Sequence, residues 1–490
     1  MSAVDDPPAL EAEGPSAPER PPGRRWVPTT AAVFTLAVGC FGWIIGLRPL
    51  GDNSFLWHLQ TGHWILEHGV PRRDLFSFTA PDAPWIAQSW LAEVLYALLD
   101  DLAGAAGIKV LNAAVGALVA MLAYRLALRF TRHSAWAAFL TVAAVAASLP
   151  FWSGRPLFLG ILAMLVLVWI VEVPDSRLGA RPALTVPVLM WLWANLHGGY
   201  MLGFGYLGLH LLGRLLDGHR PTRGRERSLL LGGVIGFGLC FVNPYGAELV
   251  VFPFRLLLRG GMLSHVVEWM SPNFRSAPGM LFGVWIVVFL AALMLARRRL
   301  ERRDVVVSLP FLLLAFWAQR NIAVAPLVAL PVVARVIAVP ELRDRGRLLN
   351  VPLLGVLLLG VAQLTVGRLQ EPGYQLERHY PVKAMRALEQ RGLLGRRLLT
   401  TDGWGGYVIH AYWPRQRVFI DDRYDMYPDA IAREHLTLIE GGAGWDAILD
   451  RRRIEVVLWP KDLPLTQLVG SDPAWRPVYT NAGAVIYTRR

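Results

Sequence analysis

TTAAVFTLAVGCFGWIIGLRPLGDNSFLWH (29–58) carries an apolar run into an abrupt polar junction at Gly51-Asp52-Asn53. Crossing a bilayer as a helix takes about 20 apolar residues, and the run 29–48 supplies them. Arg20, Arg24 and Arg25 precede it, and the acidic, Pro- and Ala-rich start of the chain contains no small-residue cleavage site. The stretch therefore predicts an uncleaved anchor, with residues 1–28 as a disordered cytoplasmic tail. Similar runs recur to residue 367 and predict eleven spans. They lie near 29–48, 108–130, 134–152, 156–173, 183–198, 200–216, 228–243, 280–296, 304–320, 322–338 and 350–367. Composition agrees, because only 18% of the 490 residues are charged against about 25% in soluble chains. That deficit excludes a disordered or collagen-like chain and speaks against a soluble enzyme.

The segment QSWLAEVLYALLDDLAGAA (88–106) carries Glu93, Asp100 and Asp101. Each is costly at mid-bilayer, so the segment reads as a half-helix or re-entrant element on the outer side. Arginine placement tests the resulting topology. Loops 125–133, 174–182, 214–227, 297–303 and 335–347 hold three, two, five, five and four Arg, whereas the loops between them hold at most three. The positive-inside rule then places the N-terminus in the cytoplasm and the C-terminus outside. The net charge of +12 is thus a topology signal, and no nucleic-acid partner is expected. Cys40 and Cys240 both sit in apolar stretches and form no disulfide or ligand framework.

Beyond about residue 370 the apolar runs end. Alternation at LLTT (398–401), RVFID (417–421), EVVLW (455–459) and the hairpin-like 475–490 predicts strands, with helices at 381–391, 428–439 and 445–452. The chain is therefore expected to be an α-helical polytopic membrane protein, spanning over 29–368, with an extracytoplasmic α/β domain over 369–490.

On this topology the unusual polar residues gather outside. The outer loop 51–93 includes the stretch 53–68, whose apolar residues recur at helical spacing and suit an interfacial helix. Asp52, first acid after the anchor, is either a base for an acceptor hydroxyl or a cap for that helix. Asp74 is a second acid or a turn residue, and Glu93 either faces a cavity or marks a helix start. Glu268, in VVEWMSPNF (266–274), is a further acid candidate. His58, His63 and His68 are spaced by five, which turns each about 140° from the last and disfavours a shared metal. His197 precedes two glycines that permit close approach. Arg72, Arg73, Arg155 and Arg320 could neutralise a phosphate or pair with lipid headgroups. In the C-terminal domain, Trp404, Asp421, Asp422, Arg423 and Tyr424 combine aromatic faces with carboxylates, as a glycan-binding acceptor surface would. DDRYD (421–425) lacks the spacing of a calcium loop; its plainest reading is a strand end and loop held by Arg423. No metal site is expected. A transporter would place charged residues near mid-membrane within internal repeats, and none are visible.

GDNSFLWHLQTG (51–62), EHGVPRRDLFSFT (67–79), SWLAEVLY (89–96), SGRP (153–156), WANLHGGYMLG (193–203), VNPYG (242–246) and VVEWMSPNF resemble a group of bacterial membrane proteins within the GT-C superfamily. Those are multi-span glycosyltransferases using polyprenyl-phosphate sugars. The resemblance implies an outer-facing cavity and maps the superfamily's catalytic acid onto Asp52. Many relatives carry Asp-Glu there, whereas Asn53 follows Asp52 here. It implies an inverting glycosyltransferase of the cytoplasmic membrane with no cofactor beyond its lipid-linked sugar donor. Membrane lipid and a glycan, lipid or protein acceptor would be its other partners. The alternative is a non-catalytic GT-C-like scaffold or glycan- or lipid-binding protein.

Overall fold

The computed structural model describes residues 27–259, 266–296, 298–337 and 346–490. The tail expected over 1–28 lies almost wholly outside them, as do Arg297, Arg343 and Arg345 of the counted loops. Each of the eleven expected spans contains a helix. They begin with α1 (Thr30–Gly46), followed after the first long loop and its two helices, α2 (Phe55–His68) and α3 (Trp90–Ala103), by α4 (Ala105–Thr131). Next come α5 (Ser134–Ser148), α6 (Pro156–Glu172), α7 (Pro182–Leu196), α8 (Tyr200–Leu216) and α9 (Gly224–Leu239). Helices Ala277–Met294, Arg302–Trp317, Ala325–Val336 and Asn350–Gln370 complete the set. Among the described residues, four helices are long and apolar enough to cross a membrane and four more are apolar but shorter.

The structure also contains α10 (Ala247–Leu258) in what the sequence reads as loop. Pro253 and Arg255 interrupt its apolar pattern, but Leu249, Val250 and Phe252 on one face are buried. The chain from Asp402 to Tyr412 is likewise helical despite three glycines.

The C-terminal part has a four-stranded sheet in the order β1 (Leu398–Leu399), β2 (Val456–Pro460), β4 (Ala484–Arg489), β3 (Trp475–Thr480). Strands β1 and β2 are parallel, and β4 runs antiparallel to both β2 and β3. Segment 417–421, expected as a strand, does not join it. Val418 instead pairs with Ser77 of the first long loop in a single parallel bridge, its amide donating to the Phe76 carbonyl at 3.0 Å. Three consecutive buried residues there, Val418, Phe419 and Ile420, are held between the loop and the domain.

That pairing reflects how the molecule is packed. One apolar core fills the helical bundle. A second contains Phe55, Trp57, Phe76 and Trp85 of the first long loop together with Tyr407, Ile420, Val457 and Ile486 of the C-terminal part. The loop and the domain therefore bury one shared apolar mass. They are built as a unit on one end of the bundle.

Candidate active site

Asp52 stands where that unit joins α1. Helix α2 starts only at Phe55, and Asp52 Oδ1 accepts the Ser54 amide at 2.9 Å. Asp52 Oδ2 accepts from Arg155 Nε at 2.7 Å. The backbone around it is held from the C-terminal part. Tyr380 Oη donates to the Asp52 carbonyl at 3.0 Å, and the Leu50 amide donates to the Gly373 carbonyl at 3.0 Å. Ser54 Oγ donates to Asp422 Oδ2, and Trp57 Nε1 donates to Asp422 Oδ1 at 2.5 Å. Gly406 completes the clamp: a Cβ on it would lie 2.3 Å from the Asn53 carbonyl oxygen, so only glycine permits this approach.

Arg155 precedes α6 and bridges two acids. Its Nη2 lies 2.6 Å from Glu268 Oε1, while Nε holds Asp52. It separates two cavities. One, of about 370 Å³, is lined by Arg155, His197, Glu268, Trp269 and Arg320 on the bundle side. The other, of about 430 Å³, is reached by Asp52, Arg155 and Glu268 beside Ser153, Asn273 and Gln319. Arg320, on the short turn Gln319–Ala323, stacks 4.4 Å from the centre of the Trp269 ring. His197 follows α7 and accepts the Gly199 amide at Nδ1, 3.0 Å away.

The far wall of the first cavity belongs to the first long loop and the C-terminal part. Trp57, His58, Trp85, Glu93, Asp402, Asp422, Tyr424 and Asp425 line it. Helices α2 and α3 cross closely here, since a Cβ on Gly62 would meet the Glu93 carbonyl oxygen at 2.0 Å. The crossing sets His58 Nδ1 2.7 Å from Glu93 Oε1. Burial, and then the charges of Arg155, His197 and Arg423, hold the His58 imidazole well below its ordinary range. Burial lifts the Glu93 carboxyl well above its own, against the pull of Arg423. Both shifts disfavour the charged form of the group concerned. Burial also pushes Asp422 up to about 7 and Asp425 up to about 6.

Several expected site residues lie elsewhere. Arg423 and Asp421 are fully buried, so neither can offer a face to an acceptor. Arg423 pairs with Asp421 at 2.7 Å and with Asp74 at 2.9 Å, between the rings of Phe76 and Trp85. Asp74 also accepts the Ser77 amide at 2.9 Å and closes a turn. This knot fastens the loop to the domain. Arg72 donates to the Pro244 carbonyl and Arg73 to that of Asp82, both on the exposed surface, and neither lines the cavities. Trp404 packs against the shared core. The α2 histidines have separate neighbours: His63 lies 3.4 Å from Asp100, and His68 stacks on Trp64. Among the described residues, no group of three or more His, Cys, Asp or Glu could hold a metal ion.

Asp402 was not legible as a site residue, being a single acid in a mixed stretch brought to the cavity only by the fold. Asp425, conspicuous in the sequence only as part of DDRYD, lines the cavity with it. His58 is masked in the sequence by its regular spacing with two unrelated histidines.

No family model matches the sequence, and no curated protein is detectably similar to it. Solved structures share its fold. The archaeal oligosaccharyltransferase AglB from Archaeoglobus fulgidus, in complex with an inhibitory peptide and a dolichol-phosphate, superposes with a TM-score of 0.54. The match has 10% identity and covers 93% of this chain and 74% of AglB. ArnT from Cupriavidus metallidurans, bound to undecaprenyl phosphate, gives a TM-score of 0.54 at 13% identity, covering 93% of this chain and 97% of ArnT. The chain is a polytopic membrane protein that shares the fold of these two structures and carries a C-terminal α/β domain.

Proposed function

We propose that this protein is a membrane glycosyltransferase that moves a sugar from a polyprenyl-phosphate-linked donor to an acceptor hydroxyl at the outer face of the cytoplasmic membrane. The observation that carries the reading is Arg155, held between Asp52 and Glu268 where two cavities meet. Arg155 and Arg320, with His197 beside them, form a cationic wall suited to a lipid phosphate. The lipid phosphates bound by the two fold relatives support that assignment, and the arginine-rich opposite loops support the outer location.

In the reaction, the acceptor oxygen attacks the anomeric carbon and the bond from that carbon to the phosphate oxygen breaks. The acceptor proton passes to Asp52, and polyprenyl phosphate leaves with its charge held by Arg155 and Arg320. Transfer on the face opposite the leaving group inverts the anomeric centre. In the free protein Arg155 occupies Asp52 Oδ2; a donor phosphate competing for Arg155 frees that oxygen to act as base.

Asp52→Asn keeps the shape of the side chain and removes the base. It is expected to lower transfer by at least about 100-fold while leaving expression and melting unchanged. Lipid extracts of a strain carrying only this variant should lose the product sugar-lipid or accumulate the donor. Full activity in the variant would remove Asp52 from the mechanism, and unaltered lipids in a deletion strain would favour a non-catalytic scaffold.

A further inference from the structure

The mechanism above leaves Glu93 unused, although it is among the most deeply placed acids at the site. It is 1% exposed, lines the first cavity, and uses only Oε1, on His58. Its Oε2 has no hydrogen-bond partner. A buried polar atom without a partner is costly, and a ligand able to supply a partner recovers that cost. Asp425 lies on the same wall, and the indoles of Trp57 and Trp85 are adjacent.

We propose that Glu93, with Asp425 and the Trp57–Trp85 wall, forms the subsite for the saccharide carried by the lipid-linked donor. This rests on the reading that Arg155 and Arg320 hold the donor phosphate, and it adds the chemistry of the group attached to that phosphate. A saccharide presents hydroxyls that both donate and accept, and apolar C–H faces that pack on aromatic rings. The unpartnered Oε2 of Glu93 can accept from one such hydroxyl. The position fits as well. The cations come from the bundle and Glu93 from the first long loop, and all of them line one cavity, so a sugar joined to a bound phosphate lies within it.

The test uses the full-length protein in lipid nanodiscs. The probes are undecaprenyl phosphate alone and the same carrier bearing glucose, galactose, mannose or arabinose. At least one neutral sugar should tighten binding about tenfold over the bare carrier, the worth of one or two hydrogen bonds. Glu93→Ala and Asp425→Asn should each remove most of that gain, with bare-carrier affinity kept within about twofold. Glu93→Gln, which keeps a donor and an acceptor on the same frame, should retain the larger part, and it reports on the subsite if Glu93→Ala does not fold. The subsite is overturned if no neutral sugar improves on the bare carrier, or if the gain survives in Glu93→Ala. A wild-type protein that binds no bare carrier overturns the donor reading itself, and the subsite with it.

Discussion

Helix α6 ends in ion pairs at both termini, about 25 Å apart. At its C-terminal end Glu172 lies 2.6 Å from Arg335 and 3.8 Å from Arg303, and Arg335 also pairs with Asp304. At its N-terminal end Arg155 pairs with Asp52 and Glu268. Both clusters draw their charges from distant parts of the chain, two cations with two carboxylates at one end and one cation between two carboxylates at the other. What differs is open space. Asp304 is 2% exposed and its cluster is packed helix to helix, whereas Arg155 lines two cavities. Ion pairs packed against one another hold a bundle together. Ion pairs beside open space mark where a ligand belongs.

The contrast breaks most easily at Arg335. Arg335→Ala leaves Glu172 and Asp304 sharing Arg303 in a buried place and should cost about 3–5 kcal/mol of stability, read as a lower melting temperature. Arg155→Ala, at a half-open position, should cost roughly 1 kcal/mol or less and abolish polyprenyl-phosphate binding. Equal stability losses would erase the distinction between the two ends. Gly406→Ala sharpens the picture of the open end, because its Cβ must displace the Asn53 carbonyl and with it Asp52. A displacement near 1 Å should lower transfer by roughly 10- to 100-fold, with carrier binding retained.

A smaller effect follows from Asp422, raised from 3.8 to about 7 by burial. Between those values the folded protein holds a proton that the unfolded chain releases. That contribution to stability is complete below the lower value and is lost as pH rises through about 7. Melting measured from about pH 4 to pH 8 should therefore show wild type losing ground to Asp422→Asn as pH rises. Least affected should be Arg72→Ala and Arg73→Ala, both exposed and outside the cavities, with changes within about 0.5 kcal/mol and normal transfer.

The helical bundle was legible in the sequence because each apolar run is long and local, and composition alone signals it. Asp52, Arg155, His197, Glu268 and Arg320 could be singled out because a charge beside an apolar run is conspicuous. Arg423 and Asp421 look like surface residues in sequence, since charge suggests exposure; their burial depends on Asp74, nearly 350 residues away. The helix over 402–412 is not among the helical patterns of the sequence, and one of its glycines is required by contact with Asn53 rather than by any turn. Local pattern reports the bundle. The cavity's second wall is made of pairings between distant segments, which no local pattern encodes.

The clamp on Asp52 also has a timetable. Asp422 follows Ser54 by 368 residues and Tyr380 follows Asp52 by 328. At about 5–20 residues per second on the ribosome, the loop bearing the acid waits roughly 20–75 s for the residues that fix it. Every nascent or prematurely terminated chain thus enters the membrane with an unheld acid and a cavity lacking one wall. Completion of the last quarter of the polypeptide is what switches the site on, so a truncated copy inserted in the bilayer is silent rather than indiscriminate.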